Sequence, residues 1–156
     1  MKINIKQLII CIAIPLLVGG LASFITRDSM EAFGRLNQPP LSPPGILFPI
    51  VWTILYTLMG IASYLIVSSD TGKEDIQNAI FVYALQLGVN FFWSIFFFNL
   101  GWYLFSFFWL LLLWVFILYT IVIFYRISKP AAYLLIPYLL WVTFAGYLNL
   151  GIAILN

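Results

Sequence analysis

Residues 76–125 read IQNAIFVYALQLGVNFFWSIFFFNLGWYLFSFFWLLLLWVFILYTIVIFY, fifty positions without one Asp, Glu, Lys or Arg. A helix crosses the roughly 30 Å hydrocarbon core of a bilayer with about 20 apolar residues. Fifty is too many for one crossing and suits two, with Asn99-Leu100-Gly101 as the natural break. Working outward, the charges of the chain fall into islands: Lys2 and Lys6, Arg27 to Arg35, Asp70 to Asp75, and Arg126 with Lys129. The uncharged runs between them are 7–26, 36–69, 76–125 and 130–156. The first and last fit one span each, and the second fits one after its proline-rich start. The expectation is an all-α membrane protein, one domain over residues 1–156, with spans near 5–26, 46–68, 76–98, 102–125 and 131–154. A composition that is 64% hydrophobic and 8% charged agrees with that class.

A cleaved signal peptide is the competing reading of the first segment, since Lys2 and Lys6 give it a basic start and Gly19 to Ser23 are small. Its apolar stretch exceeds a typical signal core, so a retained helix is expected. With five spans, Lys2, Lys6, Lys73, Arg126 and Lys129 fall on one side, and Arg27 and Arg35 on the other. Five against two places the N-terminus in the cytoplasm. Cys11 is the single cysteine, so no disulfide framework exists.

One loop is long enough to hold structure. Residues 27–45 carry Pro39, Pro40, Pro43 and Pro44, and proline lacks a donor and disfavours helix before it. The segment is expected to run extended, as a stiff strap between the first two helices, or else as a plain surface linker. Residues 69–75 read as a solvated turn. Pro130 suits the first turn of the last helix.

Much chemistry is excluded. The chain has no histidine, which removes His-ligated haem and Ser-His or Cys-His catalysis. Apart from Lys6 at the very start of the first, no Asp, Glu, Lys or Arg falls within an expected span, so charge-coupled transport has no groups to use. No metal site, no obligatory cofactor and no nucleic-acid partner is expected. Aromatic surface and neutral hydrogen-bonding groups remain.

Those groups recur with helical periodicity. Gln86, Asn90, Trp93 and Phe97 share one face of the third helix; Tyr138, Trp141, Ala145 and Leu148, with Asn149 beside them, share one of the fifth; Phe48, Trp52, Tyr56 and Gly60 follow in the second. An amide facing hydrocarbon costs several kcal/mol, so Gln86 and Asn90 face either a cavity or another helix, and Asn149 is better read as an interhelical bond. Pro15, Gly19 and Ser23, and separately Ala84 and Gly88, keep small-xxx-small spacing that lets backbones approach. Ala84 and Gly88 lie opposite the amide face and are the expected contact of a homodimer. The fourth helix is apolar all round and reads as a wall against lipid, with Trp102 and Tyr103 as interfacial anchors.

The same residues carry a resemblance. Pro39-x3-Pro43-Pro44 followed by Phe48, Trp52, Tyr56 and Gly60, then Gln86-x3-Asn90-x2-Trp93 with Phe97-Phe98, and Pro137-Tyr138-x2-Trp141-x2-Phe144-Ala145-x2-Leu148-Asn149, resemble the blocks of the tryptophan-rich sensory protein (TspO) family. That family also contains the mitochondrial translocator protein, once called the peripheral benzodiazepine receptor. The resemblance implies a five-helix bundle, often dimeric, in the cell membrane of a bacterium, with a pocket under the first loop. It implies binding of porphyrins such as protoporphyrin IX, sterols, and benzodiazepine or isoquinoline drugs. Carried over by position, the pocket would involve Ser23, Pro43, Pro44, Trp52, Asn90, Trp93, Trp102, Trp141, Phe144, Ala145 and Leu148; the faces above add Phe48, Tyr56, Gln86 and Tyr138.

The sequence also departs from the family. Leu148-Asn149 is followed by Leu150-Gly151 and no basic residue, where the family's sterol stretch wants a Tyr and then a cation, which argues against a sterol partner. Ala32-Phe33 stands where Trp-Tyr is frequent, and Ser106 where Asp is common. The leading expectation is a receptor or carrier for a flat tetrapyrrole. The alternative is an enzyme that degrades protoporphyrin IX with light and oxygen, in which Trp52 and Trp141 would be the reacting side chains. Without the resemblance, the aromatic stripes would read more readily as core packing.

Overall fold

Without water to bond the main chain, an apolar segment in a bilayer must close its hydrogen bonds within itself. In the computed structural model, which describes residues 2–156, the chain does so as five long helices, all apolar enough to cross a membrane. They are α1 (Ile5–Thr26), α2 (Leu47–Val67), α3 (Lys73–Ser94), α4 (Tyr103–Ile127) and α5 (Ile136–Leu155). No strand occurs among the described residues.

The boundaries of α1 and α2 fall within one residue of the sequence expectation. Helix α3 starts at Lys73, earlier than residue 76, because Glu74 and Asp75 in its first turn suit the positive end of the helix dipole. The solvated turn is correspondingly shorter. After Ser94 the helix widens into a π-turn, Ile95–Asn99, and the chain reverses at Gly101, whose φ of 64° is left-handed. The break therefore lies where the fifty-residue run was divided. Ahead of α5 a short helix, Lys129–Leu134, is capped by Ser128, whose hydroxyl accepts from the Ala131 amide. It parts from α5 at Leu135, since Pro137 cannot donate to the carbonyl four residues back.

The first loop differs from the extended strap that was expected. Arg27–Ser29 form a 3-10 turn and Met30–Gly34 a further helical turn, so the first helical rod runs on to Gly34. Nothing before Pro39 forbids helix; only the proline-bearing stretch 35–46 leaves it, with Leu41 at a φ of 70°.

Around the bundle the order is α1, α2, α5, α4, α3, and α3 closes on α1. The α1/α2 pair is the tightest. Pro15 leaves the Cys11 carbonyl without its usual helical donor, and Gly60 of α2 packs against this part of α1. A Cβ on Gly60 would lie 2.4 Å from Ile12 Cα, so only glycine fits there, and one on Gly19 would lie 2.3 Å from Tyr56 Cε2 and have to displace that ring. Helix α4 is not a plain lipid wall. Its residues Ser106, Leu110, Leu113, Ile117, Thr120 and Phe124 form a buried stripe at alternating steps of four and three, packed between α3 and α5. Only its other faces, with Phe105, Phe108 and Leu112, are exposed.

Candidate functional site

At the end of the bundle under the first loop the helices line a partly open cavity of about 840 Å³, within the range of small-molecule sites. Three indoles line it: Trp52 from α2, Trp93 from α3 and Trp141 from α5. Trp52 stacks on Tyr56 with centroids 5.5 Å apart, and Trp93 on Phe97 at 5.1 Å. Phe48 meets Trp141 edge-on at 5.9 Å. Each pairing fixes a ring in a preferred arrangement. The widened turn after Ser94 advances the inward face by about one position, which brings Phe98 to the wall beside Phe97, where Phe33 packs on both.

Of the expected site residues, Ser23, Phe48, Trp52, Tyr56, Trp93, Trp141, Ala145 and Leu148 line this cavity. Others do not. Gln86, Asn90 and Tyr138 lie beneath it, each about 1% exposed, in one polar knot. The Tyr138 hydroxyl donates to Gln86 Oε1 at 2.8 Å and accepts from Asn90 Nδ2 at 2.8 Å, while the Tyr56 hydroxyl makes a longer contact of 3.5 Å to Asn90 Oδ1. Trp102 is half-exposed and stacks on Phe96, outside the cavity, as an interfacial anchor would. Tyr103, by contrast, packs inward on Phe97. Phe144 sits behind Trp141, between that ring and Tyr147. Pro43 and Pro44 belong to the strap, which reaches the cavity instead through Gln38, Gly45 and Ile46. Asn149 makes the interhelical bonds expected of it, accepting from Trp93 Nε1 at 3.0 Å and donating to the Tyr103 carbonyl at 2.8 Å, and also borders the cavity.

On the side of α1 and its continuation, sequence reasoning found only Ser23. Gly19, Ala22, Thr26, Met30 and Phe33 line the cavity at steps of three, four, four and three. The stripe was readable, but the charges at Arg27 and Asp28 ended the helix too early for it to be followed. Arg27 is the one formally charged residue among those lining the cavity, and its guanidinium lies 3.8 Å above the Phe24 ring. The remaining polar groups are neutral. The Trp141 indole N–H is buried and unpaired among the described residues. Ser106 is fully buried with its hydroxyl unpaired.

The roof is held at several points. Asn156 donates through Nδ2 to the Asn37 carbonyl at 2.8 Å and accepts from the Asn37 amide at 3.0 Å, copying a pair of main-chain bonds. The Tyr147 hydroxyl donates to the Pro40 carbonyl at 2.6 Å. Pro39 is buried against Gly151, where a Cβ would lie 2.6 Å from its ring.

A cavity walled by α1, α2, α3 and α5 under a proline strap can be set beside known proteins. The model described as the TspO/MBR family matches residues 11–155. The chain belongs to that family. It is 40% identical to the tryptophan-rich protein TspO of Chlorobaculum tepidum over 100% of this chain and 99% of the relative. It is 37% identical to the protein of the same description from Archaeoglobus fulgidus, over 98% and 99%. A translocator protein of Bos taurus is 36% identical over 87% of this chain and 82% of its own length. Membership of the TspO/MBR family and five apolar helices make this an integral membrane protein.

The polar knot yields a prediction. Tyr138→Phe leaves the buried amides of Gln86 and Asn90 short of partners and is expected to cost about 1–3 kcal/mol of stability. Since Tyr138 does not line the cavity, ligand affinity should stay within about twofold, a change below 0.5 kcal/mol. Thermal unfolding in detergent beside ligand titration checks both; a large affinity loss with unaltered stability would place the knot in the site.

Proposed function

We propose that this protein is a membrane receptor or carrier that holds a flat, largely apolar ligand of the porphyrin class in the cavity under the strap. The observation that carries the reading is the wall itself: Trp52, Trp93 and Trp141 around about 840 Å³, with few polar groups. Indole faces supply stacking area for a planar macrocycle. Arg27 and Ser23 provide the few placed polar contacts that orient such a ligand. Drug-like benzodiazepine or isoquinoline compounds, to which the family resemblance extends, have the same flat aromatic character. The Lys/Arg asymmetry puts the N-terminus in the cytoplasm and the strap on the opposite side. The chain is further proposed to pair with a second copy along α3, because Ala84 is exposed and a Cβ on Gly88 would meet nothing within 4 Å.

Breakdown of the bound porphyrin in light and oxygen is the second reading. It is favoured by the electron-rich stack of Trp52 on Tyr56 at the cavity wall.

Protoporphyrin IX titrated into detergent-purified protein should quench tryptophan fluorescence saturably, and the Trp52→Ala, Trp141→Ala double variant should weaken binding by about tenfold or more, two lost ring contacts of about 1 kcal/mol each. Unchanged affinity removes the ligand assignment. Illuminated in air, bound porphyrin should lose absorbance faster than free porphyrin if the second reading holds; equal bleaching ends it. Gly88→Leu should shift the particle from dimer to monomer mass in light scattering, and an unaltered mass rules out the α3 contact.

A further inference from the structure

Five seams separate neighbouring helices around the bundle, and four are pinned near the cavity. At α1/α2, Gly19 lies against Tyr56 and Gly60 against Ile12. At α1/α3, Ser29 Oγ donates to Asn99 Oδ1 at 2.7 Å and Asn99 Nδ2 to the Ile25 carbonyl at 3.3 Å. At α3/α4, Trp109 Nε1 donates to the Val89 carbonyl at 2.7 Å. At α4/α5, Trp114 Nε1 donates to Thr143 Oγ1 and Asn149 to the Tyr103 carbonyl, both at 2.8 Å.

The fifth seam, α2/α5, is different. Helix α2 packs on Lys129–Leu134 at the far end of the bundle, and its cavity end stands apart from α5. No hydrogen bond joins α2 directly to α5 among the described residues. Two ring contacts span the gap, Phe48 on Trp141 at 5.9 Å and, deeper, Trp52 on Tyr138 at 6.2 Å. Phe48, Pro49, Trp52 and Trp141 line the cavity from this seam, and Leu140 beside Trp141 is exposed away from it. This seam lies on the perimeter and faces lipid. The roof above it is latched by the Asn37–Asn156 pair, by Tyr147 and by the Pro39–Gly151 fit.

We propose that ligands reach the cavity sideways from the bilayer through the α2/α5 seam, with the Phe48–Trp141 ring pair as its gate, while the strap stays shut. This rests on the proposed binding of an apolar ligand, which would concentrate in the lipid from which the seam opens. Parting two edge-on rings breaks one weak aromatic contact and exposes apolar groups to apolar lipid. Lifting the strap instead breaks four hydrogen bonds, among them one from Asn37 Nδ2 to the Leu155 carbonyl, and unseats a buried proline.

The test follows the rates of protoporphyrin IX binding and release by stopped-flow tryptophan quenching, with protein in phosphatidylcholine nanodiscs. Phe48→Ala should speed binding by about three- to tenfold, the factor set by one lost aromatic contact, and release at least as much, since Phe48 also lines the cavity. Phe48→Leu, which keeps an apolar side chain, should lie between it and the natural protein. Asn156→Ala and Gly151→Ala, which loosen the roof, should leave both rates within about twofold, a barrier change below 0.5 kcal/mol. Unchanged rates in Phe48→Ala overturn the portal, and so does equal or greater acceleration by the roof variants. A ligand-free arm separates this from failure of the binding reading: Ala145→Cys with Cys11→Ser, exposed to a maleimide carried on an acyl chain. Labelling should accelerate with Phe48→Ala and not with the roof variants, and the opposite pattern overturns the proposal even if porphyrin never binds.

Discussion

The hydroxyl of Tyr138, shared between the amides of Gln86 and Asn90, is the contact on which the geometry of the bundle turns. In hydrocarbon these groups have no water to fall back on, so α3 and α5 must stand close enough to satisfy one another, and Tyr56 brings α2 toward the same point. Above this level there is no comparable polar demand between α2 and α5. The helices therefore close tightly beneath the cavity and diverge over it. The site is the space left where the polar tie ends.

The small residues act on the same geometry from the other side. Gly19 and Gly60 let α1 seat directly on α2, with no side chain between the Tyr56 ring and the α1 backbone. That holds Tyr56 in place beneath Trp52, so a feature distant from the cavity's centre orients its principal ring. Gly151 has a similar part at the opposite end, where it accepts Pro39 and so sets the height of the strap.

The spans could be read from charge spacing because a bilayer penalises charge at every position along a crossing helix. The loop was read less well. Its prolines, which forbid helix from 39 onward, were allowed to speak for Arg27–Gly34, where no proline stands and the helix continues. Within the site, periodicity gave the inward faces correctly for Trp52, Trp93 and Trp141. It could not give depth along a face: Gln86 and Trp93 share a side of α3, yet one lies in the sealed knot and the other at the cavity. The inward turn of Phe98 depended on a π-turn, which has no clear signature in single sequence. Trp102 was assigned to the pocket by position in a family pattern, and the reversal at Gly101 directs it outward.

The formal charges found in the five long helices lie in terminal turns: Lys6 in α1, Lys73, Glu74 and Asp75 in α3, and Arg126 in α4. A membrane potential does work of about 2.3 kcal/mol per 100 mV only on an elementary charge that moves across it. None of these residues is placed to move so far, and the groups at the proposed portal are neutral rings. The electrical energy stored in the membrane thus has little purchase on the charges of these helices. Under the carrier reading proposed above, a ligand would follow its own electrochemical gradient, with the protein setting the rate and not the direction.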